Sequence, residues 1–196
     1  MQTSLKSERS ASTASSSRGT DQPDWGILPA PRTVAAAYHE SGHAVAGFVL
    51  GRNVPKKISI LPEVGSLGRT LNRPFPRWFR PELRLTTRTR EVLEVEMVTV
   101  LAGFEAEKRH TGKPNYYGAS GDLATAKVYA ALVAPDDVGA VLYRRWCAYR
   151  ARQIVADHWK AIVHLARALL VAGELRGCKL EAALIASCRP STRARR

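Results

Sequence analysis

Cysteine and long apolar runs are both scarce in this chain of 196 residues. The three cysteines form no CxxC pair and no other spacing typical of a zinc or disulfide framework, which favours a reducing compartment. The best candidate for a membrane span, residues 161–172, is interrupted by His164 and Arg167 and falls short of the roughly 18 apolar residues that a span needs. The first residues are polar and contain no apolar signal core. We therefore expect a soluble, cytoplasmic protein without a membrane span.

Acidic residues are also few, since 17 Asp and Glu oppose 30 Lys and Arg and leave a formal charge of +13. Such an excess indicates an acidic partner, which charge alone leaves open as nucleic acid, an anionic membrane surface or acidic peptide segments. The hydrophobic fraction of 45% and the charged fraction of 24% are ordinary for a globular protein and exclude a wholly disordered chain. The length suits one domain.

The composition changes along the chain. Residues 1–30 are rich in Ser, Thr and small polar residues, which predicts a disordered leader. Residues 31–188 contain the periodic apolar patterns of a folded domain. Residues 189–196 form a basic tail with four arginines, for which nonspecific nucleic-acid contact is one hypothesis.

The folded part is predicted to be α+β and mainly helical. A buried helix is expected over 33–50, with Pro31 near its start and Gly51 as its stop. Residues 57–61 and 69–71, separated by a turn at 65–68, predict a small sheet, and the proline-rich residues 72–81 predict a loop. Pro81 is expected to open a long helix that ends near His110, before Gly112. A helix over 122–133 and two or three more up to residue 186 complete the prediction.

His39 and His43 are four residues apart, so on a helix both imidazoles project from one face and can reach one metal ion. Glu40 lies beside them, where a carboxylate can act as general base for a water that zinc acidifies. A chance pair of histidines is the alternative, but chance matches belong mostly on exposed polar helices, and this helix is apolar. Gly42 costs about 1 kcal/mol relative to alanine inside a helix, which predicts that another element packs closely against it.

A catalytic zinc site needs a third protein ligand, and Asp122 is the best candidate. It follows the loop Tyr117-Gly-Ala-Ser-Gly121 at the start of a predicted helix. An acidic residue there can equally serve as a helix N-cap, and this alternative stays open at the level of local pattern. Four other residues could be the third ligand but have no local motif, namely His110, His158, His164 and Asp157. His164 is expected to be a core histidine, because its predicted helix is apolar.

The segment Ala37-Tyr-His-Glu-Ser-Gly-His-Ala-Val45 resembles the zinc-binding helix of the FtsH family of ATP-dependent zinc metalloproteases, whose pattern is Tyr-His-Glu-Ala-Gly-His-Ala. Only Ser41 departs from it. Residues 101–108 resemble the family's Leu-Gly-Gly-Arg-Ala-Ala-Glu-Glu segment, with Phe104 in place of arginine. Residues 117–126 resemble its Thr-Gly-Ala-Ser-Asn-Asp-Leu element, with Gly121 in place of asparagine. Together with residues 164–184, the likeness covers about 33–186.

The resemblance implies a zincin-like FtsH-type peptidase domain that hydrolyses peptide bonds. It implies that Zn²⁺ is held by His39, His43 and Asp122, with Glu40 as the catalytic base and Glu107 as a carboxylate that orients a ligand histidine. Family members also carry a membrane anchor and an AAA ATPase, yet this sequence has no Gly-x-x-x-x-Gly-Lys-Ser/Thr loop. The expected substrates are therefore unfolded or short polypeptides, or polypeptides delivered by a separate ATPase partner.

Most of the excess charge lies within residues 51–90, where ten basic residues oppose Glu63 and Glu82 and leave a net charge of +8. Arginines alternate with aromatic residues in the loop 73–80, a mixture that can stack on bases or favour acidic and aromatic peptides near an active-site cleft. A solvated surface loop is the simpler alternative.

Two other functions therefore stay open. One is a catalytically silent zincin-like regulatory or interaction module, against which the retained Glu40 argues, because a structural zinc site needs no general base. The other is a basic nucleic-acid-binding protein with an incidental histidine pair.

Overall fold

The computed structural model describes residues 30–62 and 68–188, so the predicted leader up to residue 29, the basic tail and most of the turn at 65–68 lie outside the described residues. The described part contains six helices and three short strands. The helices are α1 (Pro31–Val49), α2 (Thr87–Thr111), α3 (Ser120–Val133), α4 (Asp137–Asp157), α5 (Trp159–Ala172) and α6 (Gly177–Cys188). The strands are β1 (Lys57–Ser59), β2 (Arg69–Leu71) and β3 (Glu174–Arg176). The α+β, mainly helical class predicted from the sequence is confirmed.

Helix α1 forms the centre of the domain. Pro31 occupies its first turn, where the missing N–H costs nothing, and Gly51 follows its end with a φ of 78°. Residues 39–47 of the helix are all buried. The prediction of a buried helix over 33–50 is therefore confirmed to within two residues.

Helix α2 starts later than the proline pattern predicts. Thr86 and Thr89 form a capping box, since the N–H of Thr89 reaches the Thr86 hydroxyl at 3.2 Å and the N–H of Thr86 reaches the Thr89 hydroxyl at 2.6 Å. The predicted start at Pro81 is wrong because these reciprocal bonds begin the helix at Thr87. The predicted stop is correct, since Gly112 caps the helix in the left-handed conformation at a φ of 73°.

The sheet has the order β2-β1-β3, and both pairings are antiparallel. Ile58 of β1 lies opposite Thr70 on one side and Leu175 on the other. The third strand was not predicted, because residues 164–184 were assigned to closing helices. Gly173 and Gly177, with φ of 70° and 54°, bend the chain on either side of β3 and let three residues pair with β1.

The main hydrophobic core lies where α1 packs against α2 and α5. Gly42 of α1 faces α2 so closely that a Cβ atom there would lie 2.7 Å from both the carbonyl oxygen of Ala102 and the Cβ of Ala106. The close packing predicted for Gly42 is thus confirmed. A second, smaller core contains Phe79, Leu93 and Val133.

Across residues 30–62 and 68–188, none of the helices combines the length and the apolar character that crossing a membrane requires.

The two glycines of α1 make a matched pair for testing this packing. Gly42→Ala should lower the free energy of unfolding by about 1–3 kcal/mol, because its methyl group overlaps the backbone of α2. Gly47→Ala should leave it unchanged or raise it by up to about 1 kcal/mol, because its methyl group would meet Thr99 and Arg52 only at ordinary contact distances of 3.4 and 3.5 Å. Urea unfolding of the metal-free proteins measures both, and equal effects would contradict the packing described.

Ser41 provides a second stability test. Its hydroxyl is buried and has no hydrogen-bond partner among the described residues, whereas the buried Ser59 hydroxyl accepts the N–H of Leu61 at 3.2 Å. Ser41→Ala should raise the free energy of unfolding by about 1 kcal/mol, and Ser59→Ala should lower it by a similar amount. Urea unfolding shows whether each change raises or lowers the free energy of unfolding. A loss of stability in Ser41→Ala would show that the Ser41 hydroxyl has a hydrogen-bond partner.

Candidate metal centre

Three side chains from two helices converge at one place in the domain. His39 and His43 lie one turn apart on α1, and Asp122 lies in the first turn of α3. One ligand atom from each residue lies within 4.8 Å of the other two, and both histidines are buried. The structure therefore brings together the three residues that the sequence and the resemblance predicted as a metal site.

The spacing of these atoms suits a small metal ion. One carboxylate oxygen of Asp122, Oδ2, lies 2.9 Å from His39 Nε2 and 3.2 Å from His43 Nε2. Ligands of a tetrahedral zinc ion at about 2.0–2.1 Å from the metal are separated from one another by about 3.3 Å. Two imidazole nitrogens and one carboxylate oxygen are also a donor set that suits zinc. The residues present therefore fit the predicted metal.

Hydrogen bonds on the far side of each imidazole orient the rings. His39 Nδ1 lies 2.8 Å from Glu107 Oε2, and His43 Nδ1 lies 2.9 Å from the carbonyl oxygen of Thr99. Both acceptors require a proton on Nδ1, so each ring directs its Nε2 at Asp122. Asn115 in turn donates to Glu107 Oε1 at 2.7 Å. The orienting role predicted for Glu107 matches this geometry.

The same contacts control the charges of the metal-free site. Burial disfavours a positive His39, but hydrogen bonds to Asp122 and Glu107 outweigh it and raise the pKa of His39 to about 10. Burial opposes the charge of Asp122 too, yet its pKa is lowered because His43 and His39 stabilise the carboxylate. A metal ion that binds His39 therefore has to displace a proton.

Glu40 lies beside the three converging side chains without joining them. Its carboxylate accepts a hydrogen bond of 2.6 Å from the hydroxyl of Thr70 on β2. A Cβ atom at Gly68 would lie 2.9 Å from Glu40 Oε1, so the chain entering β2 passes close to this carboxylate. Glu40, His39 and His43 all line a cleft of about 250 Å³ between α1, α2 and β2. The cleft opens the site to a ligand.

The local alternatives do not hold. The N-cap of α3 is Ala119, so the interpretation of Asp122 as an N-cap is wrong; the helix starts two residues earlier than predicted. Among the four other candidate ligands, His110 stacks on Tyr38 at 3.7 Å. His164 is exposed and bonded to Ser187, so its assignment to the core is wrong. Neither His158 nor Asp157 belongs to the metal cluster found among the described residues.

Thr70, Asn115 and the carbonyl of Thr99 were missed by the sequence analysis. Each is polar and contacts a site residue, but none lies at a spacing that marks it along the chain. The FtsH-like segments identified Glu107 and Asp122 but carried no information on these three residues, which reach the site only through the packing of α2, β2 and the loop before α3.

The sequence predicted that the basic loop after β2 lies near the active-site cleft, and only part of the loop does. Asn72 lines the cleft, which places the start of the loop at the site. Phe79, however, is buried in the second core, and Arg88 lies over the Trp78 ring at 3.9 Å. Phe75 stacks on Phe79, so all three aromatic rings in the predicted mixture contact other side chains of the domain.

The sequence profile of peptidase family M41 matches residues 28–135, which is more than half of the chain. The chain belongs to peptidase family M41. The match spans α1, β1, β2, α2 and α3, and so includes the three converging residues and Glu40. Membership confirms the FtsH-family resemblance and the zincin-like fold class, and it places the chain in a family of zinc-dependent metalloproteases.

Several curated relatives are zinc metalloproteases by name, in agreement with this assignment. The chain is 38% identical over 89 residues to an ATP-dependent zinc metalloprotease FtsH of Trieres chinensis, covering 44% of this chain and 13% of the relative. It is 39% identical over 100 residues to the protein of the same name from Parabacteroides distasonis, covering 50% of this chain and 13% of the relative. It is 34% identical over 102 residues to the protein of that name from Haemophilus influenzae, which covers 51% of this chain and 15% of the relative. The chain thus matches only a small part of the length of these relatives.

The contact between Glu107 and His39 predicts a measurable effect on metal affinity in this M41 domain. Glu107→Gln should weaken zinc binding about 10–100-fold, because the acceptor that orients His39 loses its charge. Glu105→Gln is the matched control, since Glu105 lies on the same helix and pairs with Lys108 and Arg152. Competition with a chromophoric chelator measures both; equal affinities in the two variants would contradict the role of Glu107.

Proposed function

We propose that the chain is a zinc-dependent metalloendopeptidase that hydrolyses peptide bonds in unfolded or delivered polypeptides. The observation that carries the proposal is the position of Glu40 in an open cleft beside His39, His43 and Asp122. A structural zinc site closes its fourth position and needs no base, whereas this arrangement leaves a cleft with a carboxylate at its wall. That contrast favours catalysis over a silent zincin-like module.

His39, His43 and Asp122 are proposed to hold the zinc ion. When bound, zinc polarises the carbonyl of the scissile bond and lowers the pKa of water. Glu107 and the Thr99 carbonyl keep both imidazole rings aimed at the metal through their Nδ1 hydrogen bonds. The position of the ligands is thus set before substrate binds.

Glu40 is proposed as the general base and then the general acid. Its carboxylate takes a proton from the attacking water and returns that proton to the leaving amine. The Thr70 hydroxyl holds one carboxylate oxygen, Oε2, at 2.6 Å and so limits the rotation of the side chain. Because Thr70 belongs to β2, the position of the base is tied to the sheet.

The substrate is proposed to lie extended beside β2. This strand is at the edge of the three-stranded sheet in the described residues, because β1 is the only strand there that pairs with it. Main-chain hydrogen bonds to an edge strand hold a peptide regardless of its side chains, which suits an enzyme acting on unfolded polypeptides. An antiparallel orientation continues the pairing of the rest of the sheet.

The relatives are named ATP-dependent, and unfolding of folded substrates is therefore proposed to need an ATPase. The given sequence contains no Gly-x-x-x-x-Gly-Lys-Ser/Thr phosphate loop, so that activity is assigned to another module or partner. A cytoplasmic location and nonspecific nucleic-acid contact through the basic segments stay predictions.

Replacement of Glu40 by Gln tests the proposed function. Glu40→Gln should lower the kcat for an unfolded protein such as casein by about 10²–10⁴-fold, because the amide cannot accept the proton. Zinc content should stay at one ion per chain, since Glu40 is outside the ligand set. Gel-based cleavage assays run beside metal analysis measure both quantities.

Glu82→Gln is the control, because Glu82 is an exposed carboxylate in the loop before α2. It should cleave casein like the wild type. Zinc-loaded wild type that cleaves no unfolded protein, or a Glu40→Gln variant of full activity, would refute the proposal.

A further inference from the structure

A second cavity, of about 270 Å³, adjoins the cleft that contains the proposed zinc site. Its walls come from the chain after α1, from the loop after β2 and from the first half of α2. Helix α2 contributes to both cavities, and the opposite wall passes from α1 in the cleft to the chain just after α1 in the second cavity. The two helices run antiparallel. Contacts between α1 and α2 follow one another from His39–Glu107 through His43–Thr99 to Arg52–Glu96, just beyond the end of α1.

Helical spacing shows that the two cavities lie along one line. On α2, Val92 and Val95 of the second cavity and Thr99 of the cleft share one helix face, since they are three to four residues apart. On the opposite wall, Asn72 lines the cleft and Arg73, the next residue, lines the second cavity. The second cavity therefore continues the cleft beyond the carboxyl end of β2.

The wall formed by the loop is held firmly by the domain. Phe75 lines the cavity and stacks on Phe79 with ring centroids 4.4 Å apart, and Phe79 is part of the second core. Arg73 donates from Nε to the carbonyl oxygen of Val54 at 3.2 Å. These contacts attach the loop to the domain at both sides of the cavity.

The cavity presents apolar and polar surface in about equal parts. Leu50, Phe75, Val92 and Val95 supply hydrophobic surface. The buried Glu96 carboxylate is 2.6 Å from Arg52 Nε, so the charge deepest in the wall is already paired. The volume is just below the range of about 300–1,000 Å³ typical of small-molecule pockets, and it suits one large apolar side chain.

The distance between the two cavities sets the position of that side chain in a substrate. His43 and Leu50 are seven residues apart on one helix, which is about 10 Å along its axis. An extended peptide covers this length with about three residues at roughly 3.3 Å each. In the antiparallel orientation, the end of the peptide that lies past the carboxyl end of β2 is its amino-terminal side.

From this geometry we propose that the second cavity is a distal specificity subsite, which binds an aromatic or large aliphatic side chain about three residues before the scissile bond. The inference rests on the proposed peptidase function and adds to it a preference that the zinc site itself does not create. Phe75, Val92 and Val95 determine the preference, and they act by contact with the substrate.

The experiment uses short peptides that share one scissile sequence and carry a single Phe two, three or four residues before the cut, with Ser elsewhere at these positions. With the zinc-loaded protein, kcat/KM for the best Phe peptide should exceed that of the all-Ser peptide by about tenfold or more. Val95→Phe, which fills the cavity, should bring this ratio close to one. Val171→Phe, the same change at an exposed position of α5, should keep the ratio.

Binding provides a readout that is independent of turnover. Fluorescence anisotropy with zinc-loaded Glu40→Gln should show the Phe peptide binding about tenfold tighter than the all-Ser peptide, and a second Val95→Phe change should remove the difference. Phe75→Ala, which removes one wall, should weaken the same preference if Val95→Phe does not fold.

The outcomes separate the two proposals. Cleavage with equal kcat/KM for all peptides, or a preference retained in Val95→Phe, would overturn the subsite and leave the peptidase standing. No cleavage of any peptide would overturn the proposed function instead. The anisotropy measurement then decides the subsite, because equal affinities for the Phe and Ser peptides would overturn it as well.

Discussion

The close contact between α1 and α2 at Gly42 is the constraint on which the site depends. With no side chain at Gly42, the backbone of α1 comes within van der Waals contact of Ala102 and Ala106. At this separation Glu107 reaches His39 and the Thr99 carbonyl reaches His43. A larger residue at position 42 would move the helices apart and release both imidazoles, so the geometry of the candidate metal centre depends on the packing of small residues in the core.

The cost of burying charge explains why the site is built from several elements. Two carboxylates, Asp122 and Glu107, bracket the buried His39 and raise its pKa to about 10 against the opposing effect of burial. Buried charges persist only where partners satisfy them. In this domain the partners come from α2 and α3, and Asn115 satisfies the remaining oxygen of Glu107. The cluster is thus charged and preorganised before any metal binds.

Local sequence signals predicted some elements well and others poorly. Pro31, Gly51 and Gly112 act within one helical turn of their own positions, so the ends of α1 and the end of α2 could be predicted. The start of α2 was predicted wrongly because Pro81 suggested a first turn, whereas the threonine capping box begins the helix six residues later. Strand β3 was missed because a three-residue strand exists only through its pairing with β1.

The sequence by itself determined the chemistry on α1, because the spacing of His39, Glu40 and His43 acquires its meaning from the regular geometry of one helix. The resemblance to the FtsH family implied Asp122 and Glu107, but only the tertiary structure decided which atoms of the other elements contact this helix. Glu107 and Asp122 reach His39 across 68 and 83 positions of chain, and Thr70 reaches Glu40 across 30. Contacts at such separations depend on how helices and sheet pack, and no periodicity along the chain encodes them.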